Sequence, residues 1–324
     1  MDGSPLPNPK LPRLKARPID GHKGTFGTVG IIGGSAGNPG GPDELKPRMI
    51  GAPALVALGA NAAGCGLVKV GAPEPILNAV LTIAPMATGF PIGIAPKGNL
   101  IPTHAKSVLD RLMSESDTLV IGPGLGAGKE IEQLVHSAVS MERPSRCKAL
   151  VVDADAINAF CKLSSHADHT ITPTVMTPHP GEAGRLLNAL EIQGTPDGTE
   201  NQRIKACASL ATRLGCVVVL KGKGTVVCDQ DRVWVCKNGH PCLATGGTGD
   251  VLAGVIGSLA AQCVDDPDID LFASTCIAVD AHASSGQQWA TQTNSQSGLD
   301  PRQLCNHLTN SITSHRDTMA PADQ

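Results

Sequence analysis

The chain contains a series of short apolar runs that stop abruptly at a glycine or a polar residue, and this punctuation limits what it can fold into. Thr28-Val29-Gly30-Ile31-Ile32 runs into Gly33-Gly34, and Asp117-Thr118-Leu119-Val120-Ile121 into Gly122-Pro123-Gly124. Ala149-Leu150-Val151-Val152 runs into Asp153, and Val217-Val218-Val219-Leu220 into Lys221-Gly222. Leu67-Val68-Lys69-Val70 is a further strand. These runs are of strand length and mostly apolar throughout, as strands covered on both faces are. Helical stretches lie between them: residues 52–63, rich in alanine and leucine, have Pro53 near the start and Gly64 and Gly66 at the end. The alternation predicts an α/β fold with a mainly parallel central sheet between helices. Thr225-Val226-Val227-Cys228 and Val233-Trp234-Val235 add a small edge hairpin. In such sheets ligands bind beyond the carboxyl ends of the strands, so one site assembled from many loops is expected along one edge.

The 324 residues read as one domain over 21–312, ample for a core. Prolines at 5, 7, 9, 12 and 18 block regular structure, so residues 1–20 are expected to form a flexible arm outside the core. Residues 313–324 are expected to be a flexible tail. A net charge of −3 offers no basic surface for nucleic acid, and scarce aromatics offer no stacking platform for single strands. The 11 cysteines are scattered from Cys65 to Cys305 without a C-x-x-C pair, as in a reduced cytosolic protein. No secretory signal and no apolar run near the ~18 residues of a membrane span are seen, so a cytoplasmic chain without membrane contact is expected.

The most informative stretch is Ala244-Thr245-Gly246-Gly247-Thr248-Gly249-Asp250. Behind it, residues 251, 252, 255, 256 and 259 lie on one helical face. Amides of the glycines just before a helix can converge on a phosphate, where the helix dipole adds positive charge. Asp250 then lies beside an anion it would repel, unless it abstracts a proton from a substrate hydroxyl. The plainer alternative is a glycine turn with Asp250 as helix cap.

Lys221-Gly222-Lys223-Gly224-Thr225 can line a nucleotide's phosphates or sugar, or be a basic turn between strands. Thr177-Pro178-His179-Pro180-Gly181-Glu182 follows the short strand Thr174-Val175-Met176. Pro180 can start a helix, with Glu182 in its first turn, while His179 at the strand's end can hydrogen-bond a polar substrate. Gly122-Pro123-Gly124-Leu125-Gly126-Ala127-Gly128-Lys129 fails the phosphate-loop pattern, with Pro123 and Glu130 at required glycine and Ser/Thr positions. It reads as a glycine loop letting a ligand approach the backbone. Gly33-Gly34-Ser35-Ala36-Gly37 does not fit the dinucleotide fingerprint. Asp153 and Asp155 can hold Mg²⁺ through water, or Asp155 can cap the next helix.

In order, these stretches resemble the NAD(P)H-hydrate dehydratase family of the ribokinase-like superfamily. The resemblance extends from about residue 20 to 310 and includes Val29 to Ser35, Gly51-Ala52-Pro53, Gly64 to Val68, Gly122 to Gly126 and Asp153 to Ala156. It continues through Thr177 to Glu182, its most specific part, then 221–225, 244–250 and His282 of a late helix. It implies a three-layer α/β/α fold and an ADP-dependent hydro-lyase that restores NADH or NADPH from hydrated forms, with ADP or ATP as phosphoryl donor and Mg²⁺ as cofactor. It implies Asp250 as base, Gly246, Gly247, Thr248 and Gly249 as anion hole, and Ala52, Gly124, Gly126, His179 and Asp250 around the hydrated cofactor. Lys221, Gly222, Lys223, Gly224, Thr225 and Gly249 would hold the nucleotide; no metal ligands are assigned. A homotetramer, and an NAD(P)H-hydrate epimerase on another chain, are also implied.

Met49 stands where the family often has tyrosine, Cys65 replaces an alanine, Ala283 replaces a glycine, and 39–44 lengthen a loop. These differences bear on the substrate pocket more than on the reaction. A ribokinase-like kinase for a small alcohol of the hydroxyethylthiazole or hydroxymethylpyrimidine type shares the Gly-Thr-Gly-Asp element. A non-catalytic nucleotide sensor is a third reading.

Overall fold

The computed structural model describes residues 8–37, 47–140, 146–163 and 173–317. In chain order the elements begin β1 (Thr28–Ile32), β2 (Ser35–Ala36), β3 (Arg48–Met49), α1 (Gly51–Ala62), β4 (Leu67–Pro73), α2 (Glu74–Ile83), β5 (Ala87–Ile92) and α3 (Pro102–Glu115). Then come β6 (Thr118–Ile121), α4 (Lys129–Ser140), β7 (Ala149–Val152), α5 (Asp155–Phe160), β8 (Thr174–Met176), α6 (Pro180–Ala189) and α7 (Glu200–Leu214). The last are β9 (Val217–Leu220), β10 (Val226–Cys228), β11 (Val233–Val235), α8 (Thr248–Gln262), α9 (Leu271–Thr293) and α10 (Pro301–Ser314).

Nine strands form one sheet in the order β11-β10-β9-β8-β7-β6-β1-β4-β5. Pairing is parallel from β9 across to β5, while β10 runs antiparallel to both β9 and β11. The expected parallel sheet and edge hairpin are therefore present. Successive strand side chains point to opposite faces. Val29, Ile31, Val120, Val151 and Val219 pack on one side with α1, α2, α8, α9 and α10. Ile32, Leu119, Ile121, Leu150, Val152 and Leu220 pack on the other side with α3 to α7. The layering is thus α/β/α.

Helix α8 departs from the expected one-faced pattern, because every residue from Val251 to Ala261 is buried. It lies between the sheet and neighbouring helices. A Cβ on Gly254 would run into the Val56 carbonyl of α1, so glycine there permits the close crossing. Strand β5 carries Gly89 and Pro91, which disguise it in the sequence and are tolerated at a sheet edge.

The expectation of an arm and tail outside the core is corrected for the described parts. Leu14 is only 2% exposed and joins the core beside α10. Its amide donates to the His315 carbonyl (2.8 Å), and its carbonyl accepts from the Asp317 amide (2.9 Å). The Asn8 side chain bonds both the amide and the carbonyl of Val235 on edge strand β11. Prolines prevent a helix here, but an extended segment still satisfies its polar groups by pairing with neighbours. The lengthened loop at 39–44 and the outermost ends of the arm and tail lie outside the described residues.

Candidate active site

The parallel ladder carries its hydrogen bonds one residue past the strands. Gly122 N–H donates to the Ile32 carbonyl, Asp153 N–H to Ile121 and Thr177 N–H to Val152. Gly33, Gly122, Asp153, Thr177 and Lys221 consequently emerge along one edge, as parallel pairing requires.

At this edge Asp153, 1% exposed, accepts from Thr177 Oγ1 (2.6 Å) and Lys221 Nζ (2.8 Å). The Lys221 ammonium also lies 3.9 Å from Glu182. Burial disfavours that ammonium, but Asp153, Glu182 and Asp250 together outweigh it and hold the lysine above its ordinary pKa. Burial pushes the Glu182 carboxyl up to about 7, against the pull of Lys221 and the His179 amide. The Asp153–Lys221 pair was not anticipated; its signal in the sequence is a carboxylate and a long cation ending strands on either side of β8.

His179 is the N-cap of α6. Its Nδ1 accepts from the amides of Gly181 (3.0 Å) and Glu182 (3.3 Å), while Glu182 Oε2 accepts from the His179 amide (2.8 Å). This reciprocal arrangement is a capping box with histidine in the usual Ser/Thr place. Burial, helped by Lys221 and Arg185, lowers the His179 pKa. An acceptor Nδ1 leaves the neutral ring's proton on Nε2, on a side chain still half exposed.

The plainer alternative, Asp250 as helix cap, does not hold: the N-cap of α8 is Gly247, and Asp250 lies in the first turn without a side-chain capping bond. Burial raises the Asp250 carboxyl to about 7, with Asp153 adding to the rise and Lys221 opposing it. The amides of Gly246, Gly247, Gly249 and Asp250 donate no hydrogen bond among the described residues. A Cβ on Gly246 would meet no protein atom within 4 Å, so this glycine faces open space. The expected place of Thr248 in the anion hole is corrected: its hydroxyl turns inward to the Leu243 and Thr245 carbonyls and its amide donates to the Thr245 carbonyl (3.3 Å), so its donors are already used in holding the turn. His282 anchors the helix start: its Nε2 lies 2.9 Å from the Thr248 carbonyl, and burial keeps the ring neutral with a pKa of about 4.

Gly124 (φ +70°) packs against Met49, Ala52 and Gly34, which joins two of the expected substrate residues. Gly126 (φ +76°) faces open space, and its amide donates to Asp155 Oδ2 at 2.8 Å. Asp155 therefore ties down the glycine loop instead of capping α5, whose N-cap is Ala154. Its charge also acts on Asp250, linking the two halves of the site. Lys223 stands exposed, and Thr225 Oγ1 donates to the Gly222 carbonyl at 3.0 Å.

Among the described residues no three of His, Cys, Asp and Glu converge as a metal cage. The carboxylates Asp153 and Asp155 at this edge are hard oxygen donors of the kind that Mg²⁺ takes along with phosphates and water.

A layered sheet with a glycine-led helix and a carboxylate at its carboxyl edge defines a ribokinase-like α/β protein. A ribokinase-like superfamily protein from Enterococcus faecalis has this fold, with a TM-score of 0.71 at 24% identity over 94% of this chain and 93% of its own. The chain belongs to the NAD(P)H-hydrate dehydratase family, whose sequence model matches residues 46–310. It is 35% identical over 255 residues to the bifunctional NAD(P)H-hydrate repair enzyme Nnr of Gloeobacter violaceus, covering 78% of this chain and 45% of the relative. The chain thus spans about half the length of the curated relatives it matches. The ADP/ATP-dependent NAD(P)H-hydrate dehydratase of Bacillus subtilis, crystallised with ATP and Mg²⁺, superposes with a TM-score of 0.69 at 26% identity, covering 94% of this chain and 99% of that one. No helix among the described residues is long and apolar enough to cross a membrane.

Proposed function

We propose that this chain restores NADH or NADPH from its hydrate, with ADP as phosphoryl donor and ATP as the alternative. The observation that carries this reading is the Asp250 carboxyl, raised to about 7, at the mouth of a helix start with unused amide donors. Near neutral pH such a carboxyl can both lose and take a proton, as a general base must.

Asp250 takes the proton of the substrate hydroxyl as its oxygen attacks the terminal phosphorus of the nucleotide. The phosphorus–oxygen bond to the departing nucleotide breaks, with ADP yielding AMP. The carbon–oxygen bond then breaks, phosphate leaves, and the adjacent carbon gives a proton to the departing phosphate, which restores the ring double bond. Amides at Gly246, Gly247, Gly249 and Asp250 stabilise charge on the phosphoryl oxygens, with Thr248 holding the turn that presents them. Residues 221–225 and Gly249 hold the nucleotide; Ala52, Gly124, Gly126 and the His179 Nε2–H face the hydrated ring. Mg²⁺, when bound, would be held by the nucleotide's phosphates together with the carboxylates Asp153 and Asp155 and would supply charge neutralisation there. We assign the working enzyme to a cytoplasmic homotetramer, fed by an epimerase activity outside residues 1–324.

The test is the near-ultraviolet absorbance of the dihydronicotinamide ring after adding purified protein to hydrated NADH with Mg²⁺ and either nucleotide. A nucleotide-dependent rise with release of phosphate supports the dehydratase and names the donor. No rise from folded protein, with a stable phosphate ester accumulating on a small alcohol instead, overturns it in favour of a kinase.

A further inference from the structure

Arg203, on α7, is 9% exposed and faces the turn from Lys221 to Thr225. Its Nη2 donates to the carbonyls of Leu220 (3.2 Å), Lys221 (3.4 Å) and Gly224 (3.2 Å). Its Nε has no hydrogen-bond partner, and among the described residues no carboxylate stands within ion-pair distance of it, Glu200 acting only from further away. Gly222 (φ +136°) lies so close that a Cβ there would sit 2.8 Å from Arg203 Nη1.

A trans peptide unit points its carbonyl and the following amide in opposite directions. Drawing the Lys221 and Gly224 carbonyls toward Arg203 therefore turns the Gly222 and Thr225 amides outward. None of the amides from Gly222 to Thr225 donates a hydrogen bond among the described residues. Outward amides in a tight turn form an anion-binding concavity. This one abuts the helix start, since a Cβ on Gly249 would stand 3.7 Å from Lys221 Nζ. A guanidinium buried without a carboxylate is costly until an anion approaches.

We infer that Arg203 is a positioning residue which gathers the carbonyls of the 221–225 turn and so presents its amides, backed by the guanidinium's positive charge, to the phosphates of the nucleotide. The inference rests on the proposal that this turn holds the nucleotide. Arg203 touches no reacting atom; it acts through the backbone, and its planar fork is what lets one side chain serve several carbonyls.

The experiment compares Arg203→Lys and Gly222→Ala with the wild type by calorimetric titration of ADP, AMP and adenosine. Lysine keeps the charge without the fork, and alanine disturbs the turn from its other side. The inference expects both variants to melt as cooperatively as wild type, to bind ADP and AMP about tenfold more weakly or worse, and to bind adenosine within about threefold of wild type. In turnover, KM for the nucleotide should rise by a similar factor while KM for the hydrated dinucleotide holds. ADP affinity unchanged in both variants, or equal losses for ADP and adenosine, overturns the role assigned to Arg203. Failure of the wild type itself to bind ADP would instead count against the nucleotide reading beneath it.

Discussion

The Lys221 ammonium lies 2.8 Å from the Asp153 carboxylate although the two residues follow strands β9 and β7, with β8 between them. Neighbouring strands are about 4.8 Å apart, so the lysine stem spans roughly two such spacings to reach its partner. The pair pins adjacent loops together and places a fixed positive charge among Asp153, Glu182 and Asp250.

Removing both members of this pair should cost less than the two single losses added together. Asp153→Ala strands the lysine among fewer carboxylates and should cost about 3 kcal/mol in urea denaturation. Asp153→Ala combined with Lys221→Met should be less destabilised than the sum of the single variants by about 1 kcal/mol or more. Additive losses would mean that the two groups do not act together.

The raised Asp250 carboxyl gives opposite signs for stability and turnover. Unfolded, the group titrates near 3.8; folded, near 7. Between these values the unfolded chain has given up a proton that the folded chain retains, so stability falls as pH rises through this window. Asp250→Asn should therefore be more stable than wild type above about pH 7, by about 1–3 kcal/mol. The same variant should lose about 10²-fold or more in kcat while still binding nucleotide. Wild-type kcat/KM should climb through about pH 7 as the base ionises. Thermal melts and rates across this range check both signs.

His179 combines a cap through Nδ1 with a half-exposed Nε2–H, 3.4 Å from Glu182 Oε1, and two substitutions separate them. His179→Ala loses the cap of α6 and should cost about 1 kcal/mol. His179→Asn keeps a capping oxygen and should hold stability within about 0.5 kcal/mol of wild type. Both should raise KM for the hydrated dinucleotide more than for ADP. Recovery of substrate KM by asparagine alone would assign His179 to structure.

Gly246 and Gly124 should respond oppositely to the same added methyl group. A Cβ on Gly246 meets no protein atom, so Gly246→Ala should melt within about 2 °C of wild type yet lose turnover by about tenfold or more. Gly124 has φ +70° and lies against Met49 and Ala52, so Gly124→Ala should be destabilised by about 1–3 kcal/mol. Melting curves set beside steady-state rates separate a ligand-facing glycine from a packing one.

The local elements were largely legible in the sequence. Strands β1, β7, β8, β9 and β11 begin and end where their apolar runs do, because buried parallel strands need continuous apolar residues and their ends need turns. Pro180 opens α6, since its fixed backbone angle suits a first helical turn. The glycines before α8 similarly announced a helix start with free amides. Other features carried no local signal. Leu14 reads as one apolar residue among prolines, and only its place beside His315 and Asp317 makes it core.

The sequence by itself determined the periodicity of each segment, the layered α/β class and the residue types gathered at strand ends, because these follow from burial and backbone chemistry over a few neighbouring residues. Tertiary structure alone decided which ends meet. The sheet order places β1 between β6 and β4, and β8 between β7 and β9, so Asp153 finds Lys221, Asp155 reaches Gly126 and Arg203 gathers the 221–225 turn. Burial, with Asp153 and Asp155 nearby, raises the carboxyl of Asp250 against the pull of Lys221, and no run of neighbouring residues encodes these meetings, because electric fields and hydrogen bonds depend on distance in space and not along the chain.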